Sequence, residues 1–166
     1  DTTESRGLGD VYKRQSIPDP KPIAVLAAHG KSFYFASLFL GNHYAESAAQ
    51  LYKFCRFLDD LADGTDINRI ERLKNIRGSL AGKACLNEDE LETKNFLVLA
   101  KKKSIPLAAA QELLEGMISD QIPARFDNTK QLLRYCHAVA GTVGLMMCRV
   151  LDCSHKDADS LSLIHI

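Results

Sequence analysis

Between about Pro22 and Leu151 apolar residues recur at intervals of three and four, and no stretch alternates convincingly with a period of two. That pattern predicts an all-α chain in which no sheet is needed. A first helix is expected from Pro22, a favoured early-helix residue, to about Leu40, with Gly41-Asn42 as its stop and Asn42 as a cap for the next. The second is expected from about Tyr44 to Asp63, ending at Gly64. A third follows from a cap at Asp66 to about Leu80, and a fourth from a cap at Asn87 to about Lys103. A fifth opens at Pro106 and stops before Pro123, where the ring denies the helix a donor. A long sixth, capped by Asn128 or Thr129, is expected to run to about Leu151.

The second helix carries the most informative segment, Tyr52-Lys-Phe-Cys-Arg-Phe-Leu-Asp-Asp-Leu-Ala-Asp63. At about 100° per residue, Leu51, Phe54, Cys55, Leu58, Leu61 and Ala62 gather on one face. Tyr52, Arg56, Asp59 and Asp63 form a separate stripe, centred roughly 110° from that face, with Asp60 about 60–100° further round. Carboxylates one turn apart repel, by a few tenths of a kcal/mol in an isolated helix, so something should offset them. Mg²⁺ would do so, because it suits one or two carboxylates plus phosphate oxygens and retained water. Arg56 could then grip a phosphate as a bidentate fork. The alternative is an exposed face on which Arg56 pairs with Asp59 and Asp60, worth about 0.3–0.5 kcal/mol per pair. Geometry alone leaves both open.

The sixth helix holds Tyr135-Cys-His-Ala-Val-Ala-Gly-Thr-Val-Gly-Leu-Met-Met147. Gly141 and Gly144 each cost ~1 kcal/mol relative to alanine in a helix interior, so they are expected to admit a close neighbour, either another helix or a long apolar ligand. His137 is expected at the surface or in a hydrogen bond rather than in catalysis. Near the start, His29-Gly-Lys-Ser-Phe33 leads into the aromatic run Phe33-Tyr34-Phe35; a Ser and a Lys there could receive phosphate, and core packing would explain the aromatics equally well.

Composition changes this picture little. With 21 Lys plus Arg against 21 Asp plus Glu, 46% hydrophobic and 25% charged residues, the chain is ordinary for a soluble globular protein. Zero net charge gives no electrostatic reason to expect nucleic acid or an acidic membrane surface as a general partner. No apolar run reaches the ~18 residues of a spanning helix. The cysteines (55, 85, 136, 148 and 153) are odd in number and form no C-x-x-C pair, which fits reduced thiols in the cytoplasm. Residues 1–15 lack the apolar region of a signal peptide. With the closing Leu-Ser-Leu-Ile-His-Ile they resemble translated adapter sequence, so 1–15 and 161–166 are expected to be non-native tails around a natural segment, 16–160.

Taken in order, HGKSF, YKFCRFLDDLAD, GMISD at Gly116 to Asp120 and YCHAVAGTVG at Tyr135 to Gly144 resemble the squalene/phytoene synthase family of head-to-head prenyl transferases. The resemblance implies the N-terminal part of an isoprenoid-synthase helical bundle around a central apolar cavity. There, two farnesyl or geranylgeranyl diphosphates would condense with Mg²⁺, and with NADPH only if the product is squalene. By matching position it implies Asp59 and Asp63 as the first metal motif, with Asp60 adjacent, and Arg56 on diphosphate. Tyr52 would stand by the cationic centre, Tyr135 at a further diphosphate contact, and Val139 and Gly144 in the cavity wall. Gly30, Ser32 and Phe33 match the HxKSF segment, Gly30 as a departure from Ser, and Asp120 is a further candidate. The family's second aspartate-rich motif is missing, since Asp152, Asp157 and Asp159 do not stand in an uninterrupted helical pattern. The chain is therefore expected to be inactive alone. Peripheral contact with the inner face of a membrane, for product release, is also expected. Two other functions remain open: a head-to-tail elongase, since Asp59-Asp-Leu-Ala-Asp63 reads as DDxxD, and a noncatalytic helical assembly protein.

Overall fold

The structure, a computed structural model, describes residues 21–83, 90–121 and 125–153. Among these residues there is no strand. The helices are α1 Pro22–His29, α2 Lys31–Ser37, α3 Asn42–Asp63, α4 Arg69–Leu80, α5 Leu91–Lys103, α6 Leu107–Ser119, α7 Thr129–Cys136 and α8 Thr142–Val150, with a π-helical turn at His137–Gly141 between the last two.

The 22-residue α3 is the axis, with α1, α4, α5, α6 and α8 packed around it. Its buried Leu51, Phe54, Leu58, Leu61 and Ala62 recur with the spacing of one helical face, as the sequence pattern requires. Phe54 stacks on Phe96 of α5 with ring centroids 3.9 Å apart. Leu73 and Ile76 of α4, Leu113 and Leu114 of α6, and Met146 and Val150 of α8 close the core around them. On the α5 side, Lys53 and Glu92 form a largely buried ion pair at 2.7 Å.

The expected first helix is two helices. Gly30 breaks it with φ −122° and ψ 60°, and the break packs against another element: a Cβ at Gly30 would stand 2.9 Å from Cζ and 3.0 Å from Cε2 of Tyr52. The bare Cα lets the Tyr52 ring lie directly against the bend between α1 and α2. The second helix starts at Asn42 rather than Tyr44, with Gly41 as its N-cap. The third starts at Arg69; Asp66 instead closes a turn by accepting from the Asn68 backbone N–H at 2.8 Å. The fifth starts at Leu107 and stops at Ser119. Asn128 caps α7 as expected, its side chain accepting from the Gln131 N–H at 3.0 Å. The expected cap Asn87, Cys85, Pro123, Asp157, Asp159 and the end segments 1–15 and 161–166 lie outside the described residues.

The π-turn inside the expected sixth helix was not legible in the sequence. It inserts an extra residue per turn and so rotates everything after it relative to everything before. Where it passes α6 the two backbones come close, because a Cβ on Gly116 would meet Val139 Cγ1 at 2.9 Å and Ala138 Cβ at 3.2 Å. The small residue that permits the approach is thus on α6. Two helices stay thinly covered. α7 has no buried residue, and α2 buries only Ser37. Among the described residues no helix is long and apolar enough to cross a membrane.

Candidate functional site

A cavity of about 440 Å³ opens between α1, α2, α3 and α8. Leu26 of α1, Phe33 and Ala36 of α2, Leu51, Tyr52 and Cys55 of α3, and Val143 and Met147 of α8 line it, with Leu151 just beyond. The polar groups in that lining are muted. Ser37 donates its hydroxyl to the Tyr34 carbonyl of its own helix at 2.7 Å. Burial pushes the Cys55 thiol up to about 12, with the negative charge of Asp59 adding to it, so the thiol stays neutral and behaves as a small apolar group. Phe33 and Tyr52 face each other across the wall with centroids 6.1 Å apart and planes tilted by 48°.

The stripe on α3 leaves this cavity at Tyr52 and ends in solvent. Arg56 pairs with Asp60 at 2.7 Å. The pair is loosely held, its side chains 41% and 61% exposed, and pairs of that kind contribute little. The buried Arg56 Nε has no hydrogen-bond partner among the described residues. Asp59, Asp60 and Asp63 are exposed. The Asp59 carboxyl is held above the usual carboxylate range, first by partial burial and then by the charge of Asp63; Arg56 opposes the shift and Asp60 adds to it. Among the described residues no three His, Cys, Asp or Glu side chains converge as a metal cage. The three aspartates form a one-sided acidic surface, which fits a hard cation that also takes phosphate oxygens and water.

The other expected residues fall into two groups. Gly30 and Phe33 meet Tyr52 at the cavity, while Ser32 is exposed in the first turn of α2. Tyr135 donates its hydroxyl to Asp120 Oδ2 at 2.9 Å, and that carboxylate holds the phenol above its ordinary pKa. Val139 packs on Gly116, and Gly144 is half-buried in α8. The cavity takes its lining from Val143, Met147 and Leu151, one turn and more beyond Val139, on the far side of the π-turn. His137 is hydrogen-bonded, its Nδ1 2.9 Å from Glu112 Oε1.

One residue was missed. Gln121, after the end of α6, bonds to the Ala62 carbonyl in the last turn of α3 and to Arg69 of α4. A lone glutamine outside any periodic pattern carries no sequence signal for such a role.

A sequence model described as squalene/phytoene synthase matches residues 26–165. Phytoene synthase of Thermus thermophilus is 34% identical over 132 residues, 78% of this chain and 45% of that protein. Phytoene synthase 1, chloroplastic, of Arabidopsis thaliana is 27% identical over 156 residues, 90% of this chain and 34% of that one. The crystal structure of a dehydrosqualene synthase in complex with ligand superposes with a TM-score of 0.67 at 25% identity, over 86% of this chain and 51% of that one. Squalene synthase HpnC from Alicyclobacillus acidocaldarius does so with 0.68 at 24% identity, over 86% and 56%. The chain spans less than half the length of these two curated relatives.

Proposed function

The chain belongs to the squalene/phytoene synthase family, and on that premise we propose that it supplies the tail cavity and the first diphosphate-binding helix of a transferase that joins two prenyl diphosphates head to head. The observation that carries this is the course of α3. Leu51, Tyr52 and Cys55 belong to the apolar wall, Arg56 stands at its edge, and Asp59 and Asp63 lie outside. Seven residues separate Tyr52 from Asp59, about 10 Å along the axis. A farnesyl or geranylgeranyl diphosphate would lie with its tail in the cavity and its head toward Arg56 and the aspartates.

The Arg56 guanidinium can exchange its exposed partner Asp60 for diphosphate oxygens at little cost, and its buried Nε would gain an acceptor. Asp59 and Asp63, with Asp60 beside them, would hold Mg²⁺, which when bound neutralises charge on the departing diphosphate. Burial lifts the Asp59 carboxyl first, and the neighbouring charge of Asp63, which adds to the shift, is the feature that favours a cation there. Phe33 and Tyr52 both line the space where an allylic cation would form, and aromatic faces attract positive charge. The dry lining keeps water from that cation. Tyr135, anchored by Asp120, offers a second contact for diphosphate. A squalene-type product would add an NADPH-dependent reduction, whereas a phytoene-type product would not. Either hydrocarbon would be released to a membrane surface from the cytoplasmic side.

Farnesyl S-thiolodiphosphate, whose leaving group departs slowly, tests this directly. It should bind the 166-residue chain in the presence of Mg²⁺. Asp59→Ala combined with Asp63→Ala should lose that binding and still take up farnesol. Equal binding by the double variant would overturn the proposal. Incorporation of isopentenyl diphosphate into product would identify a head-to-tail elongase instead.

A further inference from the structure

The last turn of α3 is electrostatically awkward. It carries Asp60 and Asp63, with Asp59 just before them, and no basic residue, although the C-terminal end of a helix favours positive charge. Its final carbonyls also lack helical donors. One of them, Ala62 O, accepts from Gln121 Nε2 at 3.2 Å. The same nitrogen reaches Met117 O of α6 at 3.3 Å, and Gln121 Oε1 accepts from Arg69 Nε at 2.9 Å. Arginine only donates and carbonyls only accept, so this amide has a single satisfied orientation and a flip would break every bond it makes. Gln121 therefore ties together the ends of α3 and α6 and the start of α4. Its neighbour Asp120 holds the Tyr135 hydroxyl.

We propose that Gln121 is a positioning residue for the diphosphate site: by fixing the Ala62 carbonyl it sets where Asp63 and Asp59 stand relative to Tyr135. The proposal rests on the diphosphate role of α3 given above. Gln121 touches neither substrate nor metal. It acts through the backbone of the residue next to Asp63, while the adjoining Asp120 accepts from Tyr135, so two consecutive residues bond to two of the elements proposed to meet diphosphate.

The test measures Mn²⁺-pyrophosphate binding to the 166-residue chain by the relaxation of solvent protons, in parallel with farnesol uptake by the cavity. Gln121→Met keeps the length of the side chain and loses both of its hydrogen-bonding ends. It should weaken Mn²⁺-pyrophosphate binding about tenfold, the scale of a lost outer-shell partner, with farnesol affinity unchanged. Gln121→Glu keeps an acceptor for Arg69 and loses the donor to Ala62, and should weaken binding at least as far; it also carries the test if the Met variant does not fold. A role in stability alone would move both affinities together or neither, and either result overturns the inference. If Asp59→Ala and Asp63→Ala lose Mn²⁺-pyrophosphate while both Gln121 variants bind like wild type, the positioning role falls and the diphosphate site stands. If the aspartate variants bind like wild type, or the wild-type chain binds nothing, the diphosphate site falls and the positioning role with it.

Discussion

On one side of the cavity α3 stands in a core where Leu51, Phe54 and Leu58 are at most 1% exposed; on the other, α2 buries only Ser37 and leaves Phe33 and Phe35 65% and 63% exposed, with Phe39 just beyond its end at 77%. The charged groups sit on the first side, on a helix against which six others pack. The second side supplies shape, with Gly30 and Phe33 both against the Tyr52 ring. Precision is built where charges must be held apart or together, and the opposite wall is left thin.

The contrast breaks most readily at its core. Phe54→Ala should cost about 3–5 kcal/mol, the usual penalty for emptying a buried aromatic site, whereas Phe39→Ala should stay within about 0.5 kcal/mol. Urea denaturation of both variants measures the gap, and comparable losses would erase the distinction between the two walls. Next in size is Gly30→Ser. Its Cβ must displace the far end of the Tyr52 ring rather than backbone, so the stability cost should be about 1 kcal/mol. The larger change should appear in the tyrosine environment and in farnesol affinity; an unmoved ring would show that α2 gives way instead.

Asp59→Asn should have opposite effects on folding and binding. Removing one charge from the repelling group should stabilise the metal-free chain by a few tenths of a kcal/mol and abolish Mg²⁺-dependent binding of the diphosphate analogue. A destabilised variant would mean the stripe is held by contacts other than those described. The smallest effect lies at the far end of α8, where Asp152 accepts from Lys103 Nζ at 2.8 Å and the ammonium also stands 4.9 Å from the centre of the Tyr44 ring. The bond to Lys103 holds the Asp152 carboxyl below its ordinary value. A depressed carboxylate stabilises the fold above its unfolded pKa, and the contribution is lost as pH falls through the folded one. Asp152→Asn should therefore flatten the acid limb of the stability curve below about pH 4 and leave the alkaline limb alone.

What was legible in the sequence was whatever depends on a single helix. The apolar face of α3, its stripe from Tyr52 to Asp63 and the Asn128 cap follow from a 3.6-residue period and local capping chemistry, and the structure has all three. What was hidden depends on a second element. At the break at Gly30, Tyr52, on another helix, occupies the space a side chain would need. The π-turn at His137–Gly141 leaves no mark in composition, and without its rotation Val139, Val143 and Met147 would line one stripe. Gln121 is defined wholly by partners on α3, α4 and α6, so its part at the site becomes visible only when those chain ends meet.

The bend at Gly30 also separates two kinds of evolutionary change. Because α2 is a seven-residue piece set off from α1, with a single buried residue, substitutions along it can deepen or shorten the chamber without disturbing the helix that carries the ionic machinery. If the cavity holds a prenyl tail as proposed, tolerance for tails of different length would reside in this thinly buried helix, apart from the proposed diphosphate site.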